Sequence, residues 1–173
     1  MEKKVNMIEY FGDGRIKVYL AGPFFNEEQI ERIEFIETLL ETYDFDIFSP
    51  RQASLIKPGC SQEEMMRTFE GNVTHIDTAD FVLAILDGND AGTMFECGYA
   101  YAKNIPVMYF NETRPDDKGP NLMLAMSTKL PFIMQNRELE PRDYLEKALI
   151  SINETGVREA EDLYEGNNFD EVE

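Results

Sequence analysis

Apolar residues along this chain fall into two patterns that alternate: short, mostly apolar runs and longer stretches with helical spacing. The runs cover residues 16–20, 45–48, 81–86, 106–110 and 130–134. Phe81-Val82-Leu83-Ala84-Ile85-Leu86 is the strongest, and a run with no polar face is what a parallel strand covered on both sides requires. After the first run, Ile30, Ile33, Phe35, Ile36, Leu39 and Leu40 give a broad apolar helix face, with Asn26 placed as its N-cap. Ser61-Gln62-Glu63-Glu64 reads as the capping-box start of a second helix. A third helix is expected over about 93–103, a short one from residue 121, and a closing amphipathic helix over 141–152. Strands alternating with helices in this way predict an α/β fold: a parallel sheet with right-handed crossovers and helices on both faces.

Between these elements the breaks are polar. Ser49-Pro50 ends the second strand, and a loop containing Lys57-Pro58-Gly59 precedes the second helix. Residues 111–120 are rich in turn formers and read as an exposed loop. Residues 1–15 carry no interpretable motif. From Glu154 to the end the chain is acidic and poor in aliphatics, so one domain is expected over 1–152 and an acidic extension over 153–173.

The most informative stretch is residues 87–100, Asp-Gly-Asn-Asp-Ala-Gly-Thr-Met-Phe-Glu-Cys-Gly-Tyr-Ala. It sets Asp90 and Glu96 beyond the carboxyl end of the third strand, where open α/β sheets bind ligands. Thr93-Met94-Phe95-Glu96 also fits a capping box, in which Glu96 only satisfies backbone N–H groups. That placement would put Glu96 at the positive end of a helix dipole, favouring its ionised, nucleophilic form. Asp90, if desolvated, could keep its proton, giving the division of labour that glycosyl transfer needs.

Charge narrows the partners. The 173 residues carry a formal net charge of -18, which opposes nucleic acid backbones, anionic membranes and polyphosphate ligands. Cys60, Cys97 and His75 show no metal-ligand spacing, and read as reduced thiols and an ordinary histidine with no metal or cofactor. No apolar run approaches a membrane span and the start leads into no signal-like segment, so a cytoplasmic location is expected.

Val18-Tyr19-Leu20-Ala21-Gly22-Pro23-Phe24-Phe25, the loop from Asp90 to Glu96, Glu96-Cys97-Gly98-Tyr99-Ala100 and Asn121-Leu122-Met123, in this order, together resemble the nucleoside 2-deoxyribosyltransferase family over residues 16 to about 135. The resemblance implies a flavodoxin-like, doubly wound five-stranded parallel sheet and transfer of a 2-deoxyribosyl group between nucleobases in nucleotide salvage. It implies that Glu96 is the nucleophile that forms a covalent deoxyribosyl-enzyme, that Asp90 is the acid and base for the nucleobase, and that Tyr19 orients the nucleophile. Water would accept the sugar slowly when no base is present. Asn121 and Met123 match residues that members lend to a neighbouring subunit's site, which implies a dimer-based homo-oligomer with shared sites. The implied partners are deoxynucleosides and free nucleobases. Phe24 could wall the base, and Gly22 and Gly92 could let backbone approach it closely.

Two positions depart from the family pattern. Asn72 stands where many relatives have Asp, and Gln52, after Ser49-Pro50-Arg51, is a register-shifted substitute for a base-reading pair. The preference for purine or pyrimidine therefore stays open. Two rivals also stay open: a 2'-deoxynucleoside 5'-monophosphate N-glycosidase on the same fold, and a non-catalytic nucleoside-sensing or interaction domain in which Glu96 only caps a helix. The acidic Asn26-Glu27-Glu28 segment disfavours the first, because a phosphate needs donors. The joint presence of Tyr19, Asp90, Glu96 and Asn121 disfavours the second.

Overall fold

The computed structural model describes residues 14–53, 59–113, 121–134 and 140–164. Strand β1 (Lys17–Ala21) leads into helix α1 (Glu27–Thr42), and Asn26 caps that helix as expected, accepting the Gln29 amide at 2.9 Å. Strand β2 (Asp46–Phe48) is followed by a single helical turn, α2 (Pro50–Ala53), where the sequence read as loop. The cause is a buried acid on α1. Glu37 accepts the Ser49 hydroxyl at 2.6 Å and pairs with Arg51, so the chain leaving β2 folds back onto α1. A buried carboxylate is tolerated only with such partners.

Helix α3 (Gln62–Asp77) starts at Ser61 with both halves of the expected capping box. Strand β3 (Phe81–Ile85) runs into a turn in which Gly88 and Asn89 take φ values of 86° and 49°. Glycine and asparagine are the residues that enter this left-handed region most readily. Helix α4 (Ala91–Ala102), strand β4 (Val107–Phe110), helix α5 (Leu122–Ser127), strand β5 (Phe132–Ile133) and helices α6 (Pro141–Thr155) and α7 (Val157–Tyr164) follow. Helix α6 runs past Ile152, and the acidic stretch after it adds α7, whose Ala160 is buried and whose Val157 packs against the core. Composition did not signal that helix; among its described side chains, a small residue and one valine supply the contact.

Among the described residues the sheet has five strands, all parallel, in the order β2-β1-β3-β4-β5. This is the flavodoxin-like order, and its switch point lies between β1 and β3, where successive crossovers leave in opposite directions. Strand alternation builds two cores. Val18, Leu20, Phe81, Leu83 and Ile85 meet Ile33, Ile36 and Leu40 of α1 and Leu145, Leu149 and Ile152 of α6 on one face. Tyr19, Ala21, Val82 and Ala84 meet Ile76 of α3 and Cys97 and Ala100 of α4 on the other.

Charged groups lock the carboxyl edge of the sheet. Asp87, buried just after β3, accepts the amides of Glu112 and Thr113 at 2.9 and 2.7 Å, and so holds the exit of β4. Arg32 of α1, also buried, bonds Glu112 at 2.7 Å and Glu28 at 2.9 Å and lies 3.7 Å from Asp87. Arg142 of α6 pairs with Glu112 and with Glu31. Removing one partner from such a buried network is strongly destabilising, because a charge is left unpaired.

Candidate active site

The second face carries the candidate chemistry. Tyr19, fully buried in β1, points toward α4, and small residues at Ala84 and Ala100 line the same core and leave room for the helix to approach the sheet. Its hydroxyl donates to Glu96 Oε1 at 2.5 Å. A buried phenol needs an acceptor, and a carboxylate is a strong one. Burial, with the Glu96 charge beside it, pushes the Tyr19 hydroxyl far above its usual range, so it stays a donor throughout the working pH range. Among the described residues no other hydrogen bond reaches the Glu96 carboxylate, which leaves Oε2 open.

The capping-box expectation for residues 93–96 is overturned. Asp90 begins α4 three positions earlier, with extended backbone at φ -64° and ψ 130°, and accepts the Thr93 amide at 2.8 Å. Thr93 is buried in the first turn, and Glu96 lies in the second turn, with its carboxylate committed to Tyr19. The electrostatic expectation changes with it. Burial pushes the Glu96 carboxyl up to about 7; the Tyr19 hydrogen bond opposes that rise and the Asp90 charge adds to it. Desolvation outweighs the dipole because Glu96 has left the helix end where the dipole acts.

The other sequence candidates spread around this centre. Gly22 follows β1, and a Cβ there would lie 2.8 Å from Ile85 Cδ1, so packing against β3 already demands glycine. Phe24 is half-buried against the first core and stacks on the exposed Phe25 at 5.3 Å. Gly92 lies in the first turn of α4. Gln52 is exposed on α2, and Asn72 is half-buried on α3. Asn121 caps α5, accepting the Met123 amide at 2.9 Å, and Met123 stands 76% exposed. Among the described residues no hydrogen bond ties Asn121 to Tyr19, Asp90 or Glu96.

Sequence reasoning missed the aromatic floor. Phe48 at the end of β2 stacks on Tyr19 at 5.6 Å and on His75 of α3 at 3.6 Å. His75 Nδ1 lies 2.7 Å from the Gly71 carbonyl, which favours a proton on that nitrogen. No motif marks these rings; only the register Tyr19 opposite Phe48 could have hinted at them. Cys60 and Cys97 are free thiols, and burial pushes Cys97 up to about 12. Among the described residues no group of three or more His, Cys, Asp or Glu could hold a metal ion, and no helix is long and apolar enough to cross a membrane.

The fold and the site together define a flavodoxin-like α/β protein with paired carboxylates at the switch point of its sheet. Within that class the chain belongs to the nucleoside 2-deoxyribosyltransferase family, whose model matches residues 18–126. That is an enzyme family. The 2-deoxyribosyltransferase of Bacillus psychrosaccharolyticus is 33% identical, with a TM-score of 0.62 over 75% of this chain and 90% of that one. A 2-deoxyribosyltransferase of Leishmania mexicana, 21% identical, shares the fold with a TM-score of 0.54 over 82% and 99%. So does a CMP N-glycosidase of Clostridium botulinum, 18% identical, with a TM-score of 0.54 over 75% and 98%. An uncharacterized protein of Ureaplasma parvum is 29% identical over 96 residues, which span 51% of this chain and 61% of that protein.

Proposed function

We propose that this protein exchanges the nucleobase of 2'-deoxynucleosides through a covalent deoxyribosyl-Glu96 intermediate. The observation that carries this reading is the Tyr19 to Glu96 hydrogen bond, which engages Oε1 and leaves Oε2 without a hydrogen bond from any described residue. In the first half-reaction Oε2 forms a bond to the anomeric carbon. The carbon–nitrogen bond breaks, its electron pair goes to the base, and Asp90 supplies the proton that makes the base a good leaving group. In the second half a different base attacks the same carbon, the Glu96 ester bond breaks, and Asp90 takes the incoming base's proton. Two displacements at one carbon retain its configuration.

Water in place of the second base gives slow hydrolysis. Near neutrality a carboxyl at about 7 exists in both forms, and the anion it yields is poorly solvated and hence reactive. Phe48 and Tyr19 supply an aromatic wall beside the carboxylate. Gln52, Asn72, Gly22, Phe24 and Gly92 are proposed to shape the base and sugar pocket.

The site is proposed to be completed by a second copy of the chain in a dimer-based oligomer, with Asn121 and Met123 reaching a neighbour's Glu96. Leu122, Met123 and Met126 on α5, Met65, Met66 and Phe69 on α3 and Phe95 on α4 are all exposed, which supports a partner surface. A monophosphate substrate is disfavoured, because Glu27 and Glu28 occupy the first turn of α1 and the nearby Arg32 is already paired with Glu28 and Glu112. The deciding experiment mixes the protein with a deoxynucleoside and a different free base and separates the products by chromatography. The exchanged nucleoside is expected; release of base with no exchanged product would mark a hydrolase, and no reaction a binding domain.

A further inference from the structure

We propose that Thr93 is a positioning residue for the leaving-group acid: it holds Oδ2 of Asp90 and thereby makes Oδ1 the oxygen that carries the proton to and from the nucleobase. This rests on the assignment of Asp90 given above. Two donors from one residue converge on Oδ2, the Thr93 amide at 2.8 Å and the Thr93 hydroxyl at 3.1 Å. Helix capping explains only the amide, which any residue at position 93 would provide. The hydroxyl is additional. It is fixed by burial, since Thr93 is 1% exposed, and by the stiffness of a β-branched side chain.

A carboxylate oxygen accepts through two lone-pair directions, and here both face donors. A proton placed on Oδ2 would take a lone pair from the Thr93 amide or force the Thr93 hydroxyl to turn from donor to acceptor, whereas no described residue donates to Oδ1, so the acid form of Asp90 carries its proton on Oδ1. That proton passes to a ring nitrogen as the glycosidic bond breaks, and the Oδ1 lone pair takes it back from the incoming base. Gly92 supports the same geometry. A Cβ at this position would stand 3.0 Å from Oδ2, tight enough that the oxygen would have to shift slightly from the place Thr93 holds it.

The test compares a deoxynucleoside with a neutral base against a 2-deoxyribosyl pyridinium compound, whose base leaves as a neutral molecule and needs no proton. Thr93→Val keeps shape and volume but removes the hydroxyl. It is expected to lower kcat for the neutral base about tenfold, with KM within about twofold and the pyridinium rate nearly unchanged. Thr93→Ser should restore most of the loss. Thr93→Ala, which removes the hydroxyl without adding a branched side chain, should reproduce the selective loss even if Thr93→Val folds poorly. Equal slowing of both substrates by these variants, or parental rates on both, overturns the proposal. Asp90→Asn separates the two ideas. If it selectively spares the pyridinium while Thr93→Val does not, only the role of Thr93 falls; if it slows neither or both alike, the assignment of Asp90 falls and takes this inference with it.

Discussion

Tyr19 and Glu96, separated by 77 positions in the chain, are joined by a 2.5 Å hydrogen bond between β1 and α4. The bond sets the chemistry of the carboxylate in two ways. It occupies Oε1 and so selects Oε2 as the free oxygen, and it holds the pKa below what burial and the Asp90 charge would impose.

That balance has a kinetic signature. If ionised Glu96 is the nucleophile, kcat/KM for base release should climb about tenfold per pH unit below pH 7 and level off above it, because the group titrates at about 7. In Tyr19→Phe the opposing hydrogen bond is gone, so the same limb should move to higher pH. A pH-rate series on both proteins checks this, and an unmoved limb in the variant would show that the limb belongs to another group.

Stability should run against activity at the same residue. A carboxyl raised from 4.5 to about 7 binds its proton more tightly when folded, so its contribution is favourable below about pH 4.5 and is lost as pH rises through about 7. The difference is on the order of 3 kcal/mol. Glu96→Gln keeps an acceptor for Tyr19 without the charge. It should raise the thermal midpoint at pH 8 and change it little at pH 5, while base exchange falls by on the order of a thousandfold or more. Unfolding curves at the two pH values and an exchange assay test both halves.

Substrate charge is the next discriminator. Glu27 and Glu28 lie in the first turn of α1, and the guanidinium of Arg32 is committed to Glu28 and Glu112. A deoxynucleoside should therefore react faster than its 5'-monophosphate at equal concentration. Faster base release from the monophosphate would favour the N-glycosidase reading.

Sharing of sites between subunits has a stoichiometric consequence. If Asn121 and Met123 serve a neighbour's Glu96, Glu96→Ala and Asn121→Ala refolded together should recover about a quarter of the parental activity per site, since in each mixed dimer both lesions fall in one site and spare the other. Mixed oligomers that form without recovering activity would place Asn121 in its own chain's site, or leave it only as the α5 cap that it already is.

Much of this protein was legible in the order of its residues. Local signals located Asn26 and Ser61 as caps, because a cap is decided by side chains two or three positions away. The apolar run at 81–86 announced a strand buried on both faces, since no residue in it could have faced water. Tyr19, Asp90 and Glu96 could be named as candidates through the family resemblance that the order of the motifs carries. Tertiary structure decided what those residues do to one another. Local pattern put the α4 cap at Thr93, and packing that buries Thr93 in the first turn gives that place to Asp90. The pKa of Glu96 is raised chiefly by the solvent it loses and held back by a hydrogen bond from a tyrosine on a distant strand, neither of which leaves a trace nearby in the chain. The same holds for α2, drawn into a helical turn by Glu37, and for α7, anchored through Ala160. Periodicity and capping act over a few residues and can be read locally; burial and charge pairing belong to contacts that exist only after the chain has folded.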